Sequence, residues 1–466
     1  MICNNNFDKS IIRKFKKHLD EINFELLCSV SLGNHIHFSD PLPNYRYIEK
    51  EVNKLPSEIV DIVRFYIMGM PIKIQDLLNY LDKEIIDYFV DMKIFKSDNG
   101  YIWLNNYLLV SYHNCYLIVS NVYYYPTCTD RTSSPYIGQD TFWLSDLIIN
   151  RVSGRILDLC TGSGIQAIIA AKTSTHVDAV DIDNHALVIA QINAIINGVE
   201  EKISFYMSNL YEAIGDVKYD YILSNPPFIP IPNNVEFPLA GDGGCDGKAI
   251  IRRILSGVKH HLNRDGQVIM IGQTIGNDKE VFLNSELKDY LSEISYNIYY
   301  SQKMLLREQA TNFAELVKNL YGMDVSPDLW MNYYNKINAN YLYKFVLCVK
   351  QQDECIYKQK IHTINDAWSY NDVPNLQPYK KIESKLMTTL STSNGSFVCL
   401  DEDVVYFLKL CDGEKSIADI VENMPLIYKE KYGNDLDLMG IHYMNMCSQL
   451  ERMGLISNSC LGGYNE

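Results

Sequence analysis

The densest run of chemistry-bearing residues is Ile156-Leu157-Asp158-Leu159-Cys160-Thr161-Gly162-Ser163-Gly164, an apolar strand-like stretch that ends in an acid and a glycine-spaced loop. Gly162 and Gly164 permit a tight turn and let a ligand approach backbone N–H groups. A lone Gly-x-Gly also arises in ordinary turns, so the loop carries meaning only together with its neighbours. The third glycine of a dinucleotide loop is missing, because Ile165-Gln166-Ala167 follows Gly164, and this favours a ligand without a pyrophosphate.

S-adenosylmethionine is such a ligand, with a carboxylate, an ammonium, a ribose and an adenine but no phosphate. Its ribose needs an acid at the end of the next strand, where Val180-Asp181-Ile182-Asp183 lies. Asp181 is the better candidate, since Asp183 also reads as the N-cap of the following helix. After a third strand, Ser208-Asn209-Leu210 offers Asn209, a donor and acceptor for the adenine edge and equally an ordinary turn residue. At the end of a fourth strand comes Leu223-Ser224-Asn225-Pro226-Pro227-Phe228. The prolines fix φ and remove donors, so the Asn225 side-chain oxygen and the Pro226 carbonyl can accept the N–H bonds of a nitrogen nucleophile. Phe228 adds an aromatic wall beside a planar acceptor or a cationic methyl.

These four features need strands that end on one rim, and the pattern from Gly154 to Lys350 supplies them as alternating strands and helices. Strands are expected at 155–159, 177–181, 203–206, 219–224, 267–271 and 341–349, and helices at 165–172, 184–196 and 246–262. The stretch 305–338 reads as a helical excursion before the last strand. Upstream, a helix over 8–28, a helix pair at 57–68 and 74–93, and β-rich runs at 101–111 and 115–125 suggest a winged-helix-like module. Polar, proline-containing 352–393 reads as a linker, and 397–400, 404–410 and 416–423 as a small third module. The expected plan is an α/β chain of four parts. Residues 1–137 form a helical, winged-helix-like domain, 138–350 a Rossmann-like seven-stranded methyltransferase domain, 351–393 the linker and 394–466 a winged-helix-like domain.

Composition narrows the partners. With 466 residues, 47% of them apolar and 21% charged, the chain is an ordered multidomain protein. A formal charge of −15 opposes nucleic-acid phosphates, and the basic runs Arg13–Lys17 and Arg252-Arg253 read as solvated helix faces. Twelve scattered cysteines without a Cys-x-x-Cys pair read as reduced thiols, with no metal site implied. His260-His261 reads as a helix-end cap. An N-terminus without an apolar leader, and no spanning segment, point to a cytoplasmic protein with no membrane partner.

The order Asp158, glycine loop, Asp181, Asn-Pro-Pro-Phe resembles the class I N-methyltransferases carrying an N-P-P-[YF] motif, and most closely the release-factor glutamine methyltransferase group, over about Ile137–Gly272. The acidic, glycine-rich stretch Glu236–Gly247 resembles a loop of the same group. The resemblance implies that Asp158, Gly162 and Gly164 face the methionine part of the cofactor and that Asp181 holds its ribose. It also implies that Asn225, Pro226 and Phe228 position the acceptor and that Thr141 or Asp140, in Gly138-Gln139-Asp140-Thr141, contacts the cofactor. Phe228 stands where the group has Tyr, Asn209 where it has Asp, and the chain is longer at both ends, as in a bacterial subgroup with a winged-helix-like N-terminal module. The segment Leu408–Gly413 with Ser416–Ile420 is similar to small modules that bind peptides in natural-product pathways.

The expected activity is therefore S-adenosylmethionine-dependent methylation of an amide, amine or ring nitrogen on a small metabolite or peptide, in a biosynthetic pathway. The alternatives are a base amino-methyltransferase acting on RNA or DNA and a non-catalytic S-adenosylmethionine-binding protein.

Overall fold

The computed structural model describes residues 7–28, 57–121 and 135–350, apart from positions 26, 233–234, 293, 302 and 322–324, together with 402–430, position 447 and six short strands between 359 and 458. Two compact units emerge, one drawn from 1–22, 37–110 and 115–364, the other from 23–36, 111–114 and 365–466.

The first unit is organised by one large sheet. Its strands are β6 (Arg155–Leu159), β7 (His176–Asp181), β8 (Ile203–Met207), β9 (Tyr219–Ser224), β10 (Leu262–Gly276), β11 (Ser295–Tyr300), β13 (Tyr341–Lys350) and β14 (Gln359–Thr363), in the spatial order β14-β11-β13-β10-β9-β6-β7-β8. The pairs from β8 to β10 are parallel and β13 is antiparallel to both its neighbours. The short β12 (Met304–Leu305) adds to β13. Parallel strands joined by helices bury both faces of the sheet, which is why β6 and β9 are so apolar and why Ile156, Leu157, Leu159, Ile222 and Leu223 are fully buried. The Rossmann-like sheet expected from the sequence is present, but with nine strands among the described residues rather than seven, since β12 and β14 extend it at the β13 side. Strand β11, absent from that reading, buries Tyr296, Ile298 and Tyr300 in alternation, a period carried by tyrosines rather than aliphatic residues. Strand β14 lies inside the segment read as a linker.

Helices α5 (Gln139–Ile148), α6 (Ile165–Ala171), α7 (Asn184–Ile196), α8 (Ala249–His261) and α9 (Leu283–Tyr290) flank this sheet. Every residue of α6 is buried, and so are ten of the thirteen in α7. A helix buried all round must be covered on its outer side as well. For α7 the cover is N-terminal: α1 (Lys9–Glu21) and strand β5 (Cys115–Ser120), which pairs with β4 (Tyr107–Tyr112), pack on it. The helical excursion appears as α10 (Leu306–Tyr321) and α11 (Pro327–Lys336).

The remaining N-terminal elements are α2 (Ser57–Tyr66), β1 (Ile72–Lys73), α3 (Ile74–Leu77), α4 (Lys83–Asp91), β2 (Phe95–Asp98) and β3 (Tyr101–Leu104), with β1, β2 and β3 in the sheet order β1-β3-β2. The helix expected over 74–93 is thus two helices, and the run 101–111 two strands, broken where Asn106 takes a φ of 65°. Residues 122–125 of the second expected β-run lie outside the described residues. In the second unit, after β15 (Pro374–Leu376), strands β16 (Lys380–Glu383), β17 (Thr388–Thr392) and β18 (Gly395–Cys399) form an antiparallel sheet. It also holds α12 (Glu402–Leu410) and α13 (Ile417–Glu422), the latter opened by a reciprocal Ser416–Asp419 cap.

Candidate functional site

The C-terminal ends of β9, β6, β7 and β8 stand side by side, so Asn225, the 160–164 loop, Asp181 and Asn209 follow one another along a single rim. The loop is built on three left-handed residues, Cys160 (φ 62°), Gly162 (φ 52°) and Gly164 (φ 80°). At Cys160 this costs about 1 kcal/mol or more, a strain held in place by the groups beneath it. The Asp158 carboxylate, 2% exposed, accepts the Thr161 hydroxyl (2.5 Å) and the Ala167 N–H (3.1 Å). It therefore ties the loop to the first turn of α6. Burial drives its pKa up to about 7, against the two hydrogen bonds that lower it.

The two loop glycines do different work. A side chain at Gly164 would meet Ala190 Cβ of α7 at 3.0 Å, so Gly164 lets helix and loop pack closely. One at Gly162 would meet nothing within 4 Å, which leaves the loop tip open for a ligand. The Gly162 N–H donates to Asp181 Oδ2 (2.8 Å) and the Asp183 N–H to Asp181 Oδ1 (3.0 Å). Asp181 thus bridges loop and strand end, and burial raises its pKa despite these donors.

Beside it, a concavity of about 280 Å³ is lined by Ile182, Met207, Ser208, Asn209, Glu212 and Ala213. That lies just under the lower end of ordinary ligand pockets, enough for one part of a nucleoside ligand. Asn209 lines it and donates to Glu212 Oε1 (2.8 Å), whereas Asp158, Asp181 and Asn225 do not line it. Ile182 and Met207, each 50% exposed, give it apolar walls. The sequence reading missed both, although an apolar residue between two aspartates just past a strand end was the available sign.

At the other end of the rim the Asn225 amide is fixed. Its Nδ2 donates to Asp140 Oδ2 (2.7 Å), so the amide nitrogen faces the carboxylate and the oxygen faces away. Asn225 Oδ1 is a buried acceptor without a partner, a group expensive to leave unmade. Burial raises the Asp140 pKa, against the Asn225 hydrogen bond and the Lys344 ammonium. Asp140 sits in the first turn of α5. There Thr141 Oγ1 accepts the Gly138 N–H (3.1 Å) and the Thr141 carbonyl accepts Gln166 Nε2 (3.0 Å). The Thr141 hydroxyl is thus a helix cap, and its carbonyl ties α5 to α6.

Pro226 is buried and Pro227 half-buried. Phe228 is 9% exposed and packs in the core cluster with Leu159, Met270 and Phe345. The sequence reading made it an aromatic wall beside the acceptor; its backbone lies close against Gly243 and its ring against Gly272. Beyond it, Ile229 exchanges backbone hydrogen bonds with Gly241 and Gly243, and the Ile231 N–H donates to the Gly244 carbonyl. The glycine-rich stretch 236–247 therefore lies against the Asn-Pro-Pro-Phe segment. The α10–α11 insertion packs Phe313 and Trp330 around Phe237, and Tyr334 donates to the Pro230 carbonyl (3.3 Å).

The basic runs are absorbed by carboxylates. Arg13 pairs with Glu200 (2.6 Å), Lys14 with Glu84 and Lys16 with Asp20. Arg252 pairs with Asp246 and Glu286, and Arg253 with Glu212. His261 stacks on Tyr211 and contacts the Val217 carbonyl. Among the described residues no group of His, Cys, Asp and Glu could hold a metal ion, and no helix is long and apolar enough to cross a membrane.

Residues 138–299 match the family model for the methyltransferase small domain. This central domain is a class I methyltransferase domain of the S-adenosylmethionine-dependent type, and it resembles the glutamine methyltransferases. Similar proteins include the ribosomal protein uL3 glutamine methyltransferase of Bradyrhizobium diazoefficiens, 41% identical over 125 residues, which are 25% of this chain and 39% of that protein. Those of Burkholderia pseudomallei (36% identical, 29% of this chain and 50% of that one) and Bordetella pertussis (36%, 28% and 45%) are also similar. The chain spans half or less of the length of these relatives.

Proposed function

We propose that the protein transfers a methyl group from S-adenosylmethionine to the side-chain amide nitrogen of a glutamine in a protein or peptide. One observation carries this reading: Asn225 Oδ1 is buried and unpartnered while Asp140 holds the other end of the same amide. An amide nitrogen is a poor nucleophile because its lone pair is shared with the carbonyl. Accepting its N–H bonds on a fixed oxygen turns the lone pair toward the donor and stabilises the charge that develops on nitrogen. The Pro226 carbonyl is the second acceptor, and Phe228 sets the shape of the loop.

The residues on the rim fit the cofactor. Asp181 takes the ribose, Asn209 with Ile182 and Met207 the adenine, and Gly162 with the strand end at Asp158 the methionine part. Gly164 and Thr141 hold that loop in shape. When bound, S-adenosylmethionine supplies an electrophilic sulfonium methyl. The protein acceptor is favoured because the similar enzymes are by name ribosomal-protein methyltransferases, and such an acceptor fits a cytoplasmic location. This replaces the small metabolite of a biosynthetic pathway expected above. The pairing of the basic runs with carboxylates supports a protein over a nucleic-acid acceptor. We read the α2–β3 segment as a winged-helix-like module.

The test is methyl transfer from labelled cofactor to recombinant uL3, free glutamine and RNA, followed by mass spectrometry. Label as N5-methylglutamine in protein is expected. Label only in RNA or only in free glutamine contradicts the reading.

A further inference from the structure

We propose that Asn193 is a positioning residue for the cofactor loop, and that through it cofactor binding is coupled to the N-terminal part of the protein. The proposal rests on the cofactor assignment above. Asn193 and Asn197 lie one turn apart at the C-terminal end of α7, on the side that also carries Ala190. Asn193 Oδ1 accepts the Ile118 N–H (2.8 Å) and its Nδ2 donates to the Ile118 carbonyl (3.0 Å). Asn197 does the same with Tyr116, at 3.0 and 2.8 Å. Four residues of helix rise about 6 Å and two residues of strand about 6.8 Å. Two amides four apart can therefore read the edge of β5 as another strand would.

Each amide makes a third bond: Asn197 Nδ2 donates to the Asn193 backbone carbonyl (2.8 Å), within the helix end, whereas that of Asn193 reaches the loop. There Asn193 Nδ2 donates to the Ser163 carbonyl (3.0 Å), between the two left-handed glycines of the loop. Asn193 is 0% exposed, so both amide hydrogens and the oxygen are committed in a buried place. Besides the hold of Asp158 on Thr161, the loop is thus held at Gly162 by Asp181 and at Ser163 by Asn193. The hold by Asn193 also grips β5. If β5 leaves, the Asn193 amide loses the partners that orient it and the Ser163 peptide is released. Linkage makes the effect reciprocal: a ligand that requires the loop in this conformation stabilises the docking of β5.

The test uses the full chain and S-adenosylhomocysteine. Hydrogen exchange is followed in peptides covering 115–120 and 160–167, and affinity by calorimetry. Ligand is expected to slow exchange in both peptides at least fivefold. Asn193→Ala should raise the dissociation constant at least fivefold and speed exchange in both peptides. Asn197→Ala, which touches β5 but not the loop, should speed exchange mainly in 115–120 and raise the dissociation constant less than Asn193→Ala does. Asn193→Asp, which keeps the acceptor and loses both donations, serves if the alanine variant does not fold. Protection of the loop by ligand without protection of 115–120, or normal affinity in the Asn193 variants, overturns the proposal. A wild-type protein that binds no ligand overturns the cofactor assignment instead. The ligand-free exchange of 160–167 in Asn193→Ala against Asn197→Ala then still decides the coupling.

Discussion

At the scale of single residues the site is a set of carboxylates that hold other groups in place. Asp140 is expected to act through Asn225. Asp140→Asn offers that amide either a donor or an acceptor, so its orientation is no longer set. Turnover should fall ~10- to 100-fold, within the range for one lost electrostatic contact, while cofactor affinity stays within twofold by calorimetry. Asp158 makes a different prediction. Its folded pKa, about 7, lies above the unfolded value of 3.8. The folded state therefore keeps a proton that the unfolded state loses, and stability falls as pH rises between the two values. Asp158→Asn carries no charge to bury. Its melting temperature should exceed that of the wild type at pH 8, and the advantage should shrink as pH falls toward 5. An advantage that does not change with pH would show that burial of this charge is not what sets the stability.

Among the elements, the rim was legible because each member combines a strand end with a residue suited to it: Asp158 and Asp181 after apolar runs, Gly162 in the loop, Asn225 before two prolines. What lay above the rim was less legible. The sequence gives Gly162 and Gly164 the same letter, yet one is open and the other is pressed on Ala190, a contact 26 residues away in the chain. Gly164→Ala is expected to destabilise the fold by about 2–4 kcal/mol, from left-handed strain plus overpacking. Gly162→Ala should cost about 1 kcal/mol, from strain alone. Denaturant midpoints distinguish them, and equal losses would mean that the α6–α7 packing is not tight. Phe228, read as an aromatic wall beside the acceptor, packs in the core cluster, because aromatic character says nothing about which side of a loop a ring takes. The nearly unbroken apolar stretch of α7, Ala186 to Ile196, fits a helix covered on both sides, a sign the sequence reading did not use, and nothing in it says what the cover is.

For the molecule as a whole, the N-terminal helices and β5 belong to the same compact unit as the catalytic sheet, where sequence reading expected a boundary near residue 137. Contacts such as Ile118 with Asn193 join residues 75 apart through side-chain amides, and nothing in the local pattern of either segment announces such pairing. Within this unit the central claim is that a buried, oriented carbonyl on Asn225 accepts an N–H of the methyl acceptor. It is tested most directly by single-turnover transfer from labelled S-adenosylmethionine to recombinant uL3 with the wild type and Asn225→Ala. The account expects unchanged cofactor affinity and a rate reduced ~100-fold or more. An Asn225→Ala enzyme that transfers methyl at the wild-type rate would contradict it.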